Sequence, residues 1–288
     1  MEEDYRQQVV LKDLSQFSQI YLVPLADLHE GSRDADHEVS DGYIQWIKEH
    51  DNAFTILNGD LMNCATKDST PELYEDLVTP DQAYKALLKR LTPIKGKILM
   101  MTRGGHEETI FRKSGTDFMA RLSHALRPDK VDETDSSKDI PYKPDGGMLG
   151  IRLARNNLGA LFWLYATHGW GGARTVGAKM NKIEDLAGVA NVDIIVLSHD
   201  HTQAIHRLNV LDPPRSRVSI SKPCHWNIQR KILINTGGFV QYSGYIQRKG
   251  YKPQDLGTPR IRLELKERSI RRNGKWTGIN FKDLHASI

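Results

Sequence analysis

Short apolar runs bounded by turn residues recur along the chain, each too short for a helix that buries one face. They lie at residues 20–25, 54–57, 97–102, 150–154, 160–165, 193–197, 204–211, 231–234 and 261–265, and we read each as a strand. The link Asn156-Asn157-Leu158-Gly159 has hairpin composition and joins two of them. Helical spacing appears between the strands. Thr79-Pro80-Asp81 reads as a cap with proline in the first turn, followed by Ala83, Leu87, Leu88 and Leu91. Further helices are expected over about 116–126 and 179–189, the latter with Ile183, Leu186 and Val189 on one face. The polar stretch 129–144 reads as an exposed loop. Strand–helix alternation that gives way to strands predicts a mixed α/β system. With no linker composition and no internal repeat, a single domain over 1–288 is expected.

Ligand-type residues follow five of the strands. Asp27 and His29 follow the first, and Asn58, Gly59 and Asp60 the second. Arg103, Gly104, Gly105, His106 and Glu107 follow the third. His168 and Gly169 follow 160–165, and Ser198, His199, Asp200 and His201 follow 193–197. Sites in open α/β sheets form at strand ends, so five loops are expected to converge on one pocket. Asp and neutral His suit Zn²⁺, Mn²⁺ or Fe. An Asp-x-His turn offers two ligands to one ion, and His-x-His on extended chain puts both rings on one face. Six of these groups are enough for two metals with one bridging carboxylate, and ions ~3.5–4 Å apart clamp a phosphate and activate a water. Five of the eleven histidines fall at these strand ends, which sets them apart from His37, His50, His124, His206, His225 and His285. Those six read as surface or structural residues, with His225 the one that has a route to a pocket.

The order Asp-x-His, Gly-Asp, Gly-x-His-Glu, His-Gly and His-x-His, over roughly residues 20–240, resembles the calcineurin-like metallophosphoesterases. The stretch from His168 to Lys179, with Ser198 to His201, is similar to bacterial and phage members. The resemblance implies a four-layer α/β/β/α sandwich of two mixed sheets flanked by helices, with two divalent ions at one end. It implies that Asp27, His29 and His201 hold the first ion, that Asp60 bridges, and that His168 and His199 hold the second. It also implies that His106 contacts phosphate and helps to protonate the leaving oxygen, a contribution typically worth ~10²–10⁴ in rate. Two positions depart from the pattern. Gly105 stands where the family has an Asn that ligates the second metal, so weaker binding there, lower activity or a water in its place is expected. Asp200 stands in a Ser-His-Asp-His run where Gly-His-Thr-His is usual, and reads either as a partner for a histidine or as a solvent-facing residue. Asn58 or Asn63 is a partial stand-in for the missing amide. Arg103 and Arg174 are candidates for binding phosphate oxygens, and Trp170 and Tyr242 for lining the pocket.

Composition narrows the function classes. Of 288 residues, 39% are hydrophobic and 26% charged, which suits a packed core and excludes a fibrous or disordered chain. No apolar run approaches the ~18–20 residues of a membrane span. The acidic start Met1-Glu2-Glu3-Asp4 does not resemble a signal peptide. Cys64 and Cys224 form no CxxC pair, which points to a reducing, cytoplasmic setting. The net charge of +4 is concentrated from about 248 to 275, either a solvated tail or a patch that attracts a polyanion. The expected function is a metal-dependent phosphodiesterase. No Arg follows the Gly59-Asp60 pair as it does in the protein phosphatase branch. The alternatives are a nuclease, which the basic segment would serve, and a weakly active protein that binds nucleotide or nucleic acid, which Gly105 would explain.

Overall fold

A computed structural model of the chain describes residues 9–65, 76–127, 139–213, 226–244, 247, 250, 252–272 and 275–288. Two mixed sheets pack face to face. In the first, β1 (Val10–Asp13), β5 (Gly147–Arg155), β6 (Leu158–Thr167), β7 (Ile194–Leu197), β9 (Asn227–Thr236) and β8 (Gln203–Asp212) lie side by side in that order. In the second the order is β11 (Lys275–Ser287), β10 (Arg260–Arg272), β2 (Gln19–Leu22), β3 (Ala53–Asn58) and β4 (Ile98–Thr102). Strands β6, β7 and β9 run parallel, as do β2, β3 and β4, and each sheet also contains antiparallel pairs.

The layers follow from the two-residue period of a strand. In β7, Ile194 and Val196 enter the core between the sheets, while Ile195 and Leu197 face α5 (Val176–Val189). In β3, Phe54 and Ile56 point between the sheets and Leu57 points to the helices on the other side. Both faces are dry, so these strands read as unbroken apolar runs. The outer face of the second sheet is covered by α1 (His37–Glu49), α2 (Pro80–Leu91) and α4 (Phe118–Ala125), through Ile44, Ile47, Leu87, Leu91, Met119 and Leu122. The result is the α/β/β/α sandwich. Helix α2 starts as expected: Thr79 Oγ1 accepts from Gln82 N (3.4 Å) and Gln82 Oε1 from Thr79 N (2.9 Å). Asn156 and Asn157 both take positive φ, the mark of a two-residue hairpin turn between β5 and β6.

Several elements depart from the sequence reading. Strands β1 and β11 and helices α1 and α3 (Gly105–Ser114) were not anticipated. Helix α1 buries only Ser40, Ile44 and Ile47, too narrow a stripe for a strong periodic signal. Val189 is 74% exposed although Ile183 and Leu186 are buried. Successive steps of three residues rotate about 60° short of a full circle, so the third position has left the buried face. Residues 128–138 of the expected loop lie outside the described residues. Its end is not exposed: Ile140 is buried, and Met101 N donates to Pro141 O (2.9 Å). The basic segment is not a tail. Strands β10 and β11 form an antiparallel hairpin at the sheet edge, in which Arg262 and Lys266 meet Asp283 (3.3 and 2.6 Å) and Lys282 meets Asp193 (2.6 Å). Cys64 is a buried free thiol, while Cys224 and His225 lie outside the described residues. Among the described residues no helix is long and apolar enough to cross a membrane.

The inter-sheet core gives a stability prediction. Leu164 is 1% exposed between the sheets and Leu158 of the same strand is 55% exposed. Leu164→Ala is expected to lose about 2–5 kcal/mol of unfolding free energy in urea titration, and Leu158→Ala to stay within about 0.5 kcal/mol.

Candidate metal centre

The parallel strands of both sheets finish at one end of the sandwich, and the polar loops meet there. The chain after β2 runs alongside the chain after β3. Asp27 N donates to Gly59 O (3.0 Å) and His29 N to Asp60 O (3.1 Å), which sets Asp27, His29 and Asp60 together. From the other sheet, His168 follows β6, and His199 and His201 follow β7. Among the described residues eight non-glycine positions have positive φ, and Asp27, His29, Asp60, His199 and His201 are five of them. The left-handed region costs an L-residue roughly 1–2 kcal/mol. Such strain gathered on one set of side chains marks a site where their aim is imposed by the surroundings.

Two groups of ligand atoms result. Those of Asp27, His29 and His201 lie within 4.8 Å of one another, and so do those of Asp60, His168 and His199. A third group, His29, Asp60 and His106, overlaps both sides. Asp27 Oδ1 is 3.3 Å from His201 Nε2 and 3.9 Å from His29 Nε2. Asp60 Oδ2 is 3.0 Å from His168 Nε2 and 4.0 Å from His199 Nδ1. Asp27 Oδ2 accepts from His199 N (3.2 Å), which joins the two groups.

Three rings are oriented by bonds on their far side. His168 Nδ1 is 2.8 Å from Asn58 O, His29 Nδ1 3.1 Å from Asn63 Oδ1, and His199 Nε2 2.6 Å from Gly171 O. Each acceptor holds its ring from the outside and turns the opposite nitrogen inward, as the outer partners of metal-bound histidines do. His29 Nε2 and His201 Nδ1 are buried without a hydrogen-bond partner, while Asp27 Oδ1 and His168 Nε2 face other members of the groups, His201 Nε2 (3.3 Å) and Asp60 Oδ2 (3.0 Å). An unsatisfied buried polar atom costs about 1–3 kcal/mol. Divalent cations would satisfy the inward-facing atoms, and an Asp/His donor set fits Mn²⁺, Zn²⁺ or Fe.

The electrostatics agree with that donor set. Burial, with the nearby His106 and His201, pushes His29 down to about 3, so it is neutral and ready to ligate. Burial opposes ionisation of Asp27 and Asp60, but the adjacent histidines outweigh it and hold both carboxyls below their ordinary range. Burial likewise acts to lower His168, but the Asp60 carboxylate overrides it and lifts the ring to about 10.

The loop after β4 supports Asp60 from below. Glu107 is buried at the start of α3. Its Oε2 accepts from Gly104 N and Asp60 N (both 3.0 Å) and its Oε1 from Met62 N (2.9 Å). Asp60 Oδ1 in turn accepts from His106 N (2.8 Å). Gly104 packs so tightly on Asp60 that a Cβ there would collide with the Asp60 amide nitrogen and Oδ1. At Gly105 a Cβ would meet nothing within 4 Å. The missing side chain at Gly105 therefore leaves open space, not a gap filled by neighbours.

His29, Asp60, His106, His199 and His201 line one cavity with Asn63, Lys179, Asp200 and Tyr242. Arg103 and Arg174 do not line it. Arg103 is bound by Glu108 and by Asp117 (3.0 Å) and lies over the Phe111 ring (4.4 Å), so its guanidinium anchors α3 and α4. Arg174 is exposed before α5. Tyr242 stands at the cavity as expected, whereas Trp170 is exposed beside it and contributes its carbonyl to Lys182 (2.9 Å). Asp200 follows neither expectation: it is buried and pairs with Lys182 (2.7 Å). The Asn58 carbonyl orients His168, and the Asn63 side chain orients His29. Sequence reasoning missed Lys179, Lys182 and Gly238. Gly238 was detectable in principle, since Gly237-Gly238 follows β9 as the other glycine pairs follow their strands. A Cβ on it would press on His201 Nδ1 (2.9 Å) and Asp27 Cβ (3.1 Å).

No protein-family model matches the chain, and no curated protein matches it. Solved structures do. A conserved uncharacterised protein of Streptococcus pneumoniae, described as a predicted phosphoesterase, is 10% identical, with 92% of this chain and 99% of that one covered at a TM-score of 0.34. GAP50, the anchor in the inner membrane complex of Plasmodium, is 11% identical, with 93% and 90% covered at 0.45. A double mutant of Vps29 from Entamoeba histolytica is 10% identical, with 91% and 99% covered at 0.33. These likenesses are distant. What the chain itself shows is two mixed sheets flanked by helices, with Asp/His groups at the strand ends that could hold metal ions.

Two predictions follow from this geometry. Gly104→Ala is expected to abolish metal binding, measured by calorimetry with Mn²⁺, whereas Gly105→Ala is expected to bind as the parent does. His168 carries a proton at neutral pH when metal is absent, because its pKa lies above that pH. Metal must displace that proton, so affinity should climb by about one log unit per pH unit until pH approaches the raised value. Calorimetry in buffers of different ionisation enthalpy is expected to show about one proton released per chain at neutral pH. The neutral His29 is expected to release none.

Proposed function

We propose that the chain is a metal-dependent phosphoester hydrolase acting on phosphodiesters, a single domain that uses a pair of divalent ions. The observation that carries this reading is the meeting of two Asp/His groups, each with its ligand atoms within 4.8 Å of one another. Asp27, His29 and His201 would hold one ion and His168 and His199 the other, with Asp60 shared. Ions held there supply Lewis acidity to a phosphate ester and a water of lowered pKa.

The chain's own residues do the rest. Asp27 and Asp60 bring negative charge that keeps cations in place, and the outward bonds of the histidines fix their aim. His106 lines the cavity, with Nδ1 2.5 Å from the Asn63 carbonyl. That bond takes the Nδ1 proton and turns Nε2 to the substrate side, where a proton on it passes to the leaving oxygen. Lys179 lines the cavity wall, where its Nζ donates to Asp200 O (2.7 Å) and Thr202 Oγ1 and holds the His199–His201 loop. A nuclease reading gains little, because the described lysines and arginines of the basic hairpin are largely matched by carboxylates or laid over rings. One observation favours a second reading: with Gly105 offering no side chain, the scaffold would bind a nucleotide with little turnover. A cytoplasmic setting goes with either reading.

Hydrolysis of bis-aryl phosphate with Mn²⁺ separates them. Asp60→Ala is expected to lower the rate by at least about 100-fold and His106→Ala by ~10²–10⁴. Gly105→Asn is expected to raise it on the order of tenfold, since the site has room for the amide. Full activity in Asp60→Ala contradicts the hydrolase. No activity in either parent or Gly105→Asn supports the binding role.

A further inference from the structure

Two lysines of α5, one helical step apart, reach back into the loops that carry the metal ligands. Lys182 Nζ donates to Trp170 O (2.9 Å) in the loop after His168 and to both carboxylate oxygens of Asp200 (2.7 Å each). Lys179 Nζ donates to Asp200 O (2.7 Å) and to Thr202 Oγ1. Asp200 lies between His199 and His201, which both have positive φ (73° and 50°). Its side chain is 2% exposed, with Asn235 Nδ2 3.5 Å away. The third link between these loops is the His199 Nε2–Gly171 O bond (2.6 Å).

From this arrangement we propose that Lys182, through Asp200, is a positioning residue for the second metal position. It straps the loop bearing His168 to the loop bearing His199, and so sets the separation of the two histidines that would share one ion with Asp60. The inference rests on the metal-centre reading above. A buried carboxylate between two ligands would otherwise compete for the cation or repel nothing into place. Paired with Lys182, it becomes a fixed bracket. Breaking only one partner of a buried pair leaves an uncompensated charge, so the informative variant removes both.

The test is calorimetric Mn²⁺ titration of the full chain, with thermal melting alongside. For Lys182→Met/Asp200→Asn we expect the second, weaker binding event to fall at least tenfold in affinity while the first changes less than threefold. Lys182→Arg, which keeps the charge and reaches both acceptors, is expected to retain most of the second event. If the double variant melts too low to titrate, Lys182→Gln/Asp200→Asn, which is also neutral at both positions, takes its place with the same expectation. Two unchanged events in the variant overturn the strap, as does an equal weakening of both events. A parent chain that takes up no Mn²⁺ overturns the metal-centre reading and the strap with it. A parent that binds two ions beside an unchanged variant overturns the strap alone.

Discussion

The buried amide of Asn58 holds the ends of the two sheets together, and the candidate site is built on that join. Its Nδ2 donates to Thr167 O (2.9 Å) and Ser198 Oγ (2.7 Å), and its Oδ1 accepts from Thr102 Oγ1 (2.9 Å). Ser198 Oγ also accepts from Thr236 Oγ1 (2.9 Å). One side chain thus gathers the ends of β3, β4, β6 and β7, with β9 one bond further. Apolar packing between the sheets is indifferent to small slips, but a fully bonded amide is not, because any slip leaves a buried polar group unpaired. The loops that leave these strand ends inherit that fixed spacing. His168 is tied to the same residue through the Asn58 carbonyl.

Above this join the site works against its own electrostatics. Two carboxylates and four imidazoles crowd a buried space, with backbones in the left-handed region. The left-handed backbones and the unpartnered His29 Nε2 are unfavourable in the chain by itself, and a divalent cation held there would relieve the latter. Glu107, Asn63 and the lysine strap of α5 keep the ligands from relaxing towards one another. Gly105 is the exception to this preorganisation. A Cβ there would meet nothing within 4 Å, so the position can accept a side chain without disturbing its neighbours.

Much of this was legible in the sequence. The apolar runs gave the central strands because both of their faces are buried, and the ligand residues stood out because each followed such a run. What was hidden depended on partners distant in sequence. Nothing near Asp200 announces Lys182, eighteen positions earlier, and nothing in Arg103 reveals that Glu108 and Asp117 will claim it. Helix α3 was obscured because it opens on two glycines, and the residue that compensates, Glu107, does so through amides of another loop. The basic segment misled for a similar reason: its cations were counted without Asp283 and Asp193, which face them only after β10 and β11 pair and pack.

The most direct test of the metal centre is anomalous scattering from crystals of the chain soaked in Mn²⁺. Two peaks about 3.5–4 Å apart are expected. One should be bounded by Asp27, His29 and His201 and the other by His168 and His199, with Asp60 between them. The second should be the weaker peak. No peak at these residues, or a peak elsewhere with this cluster unchanged, would contradict the metal centre.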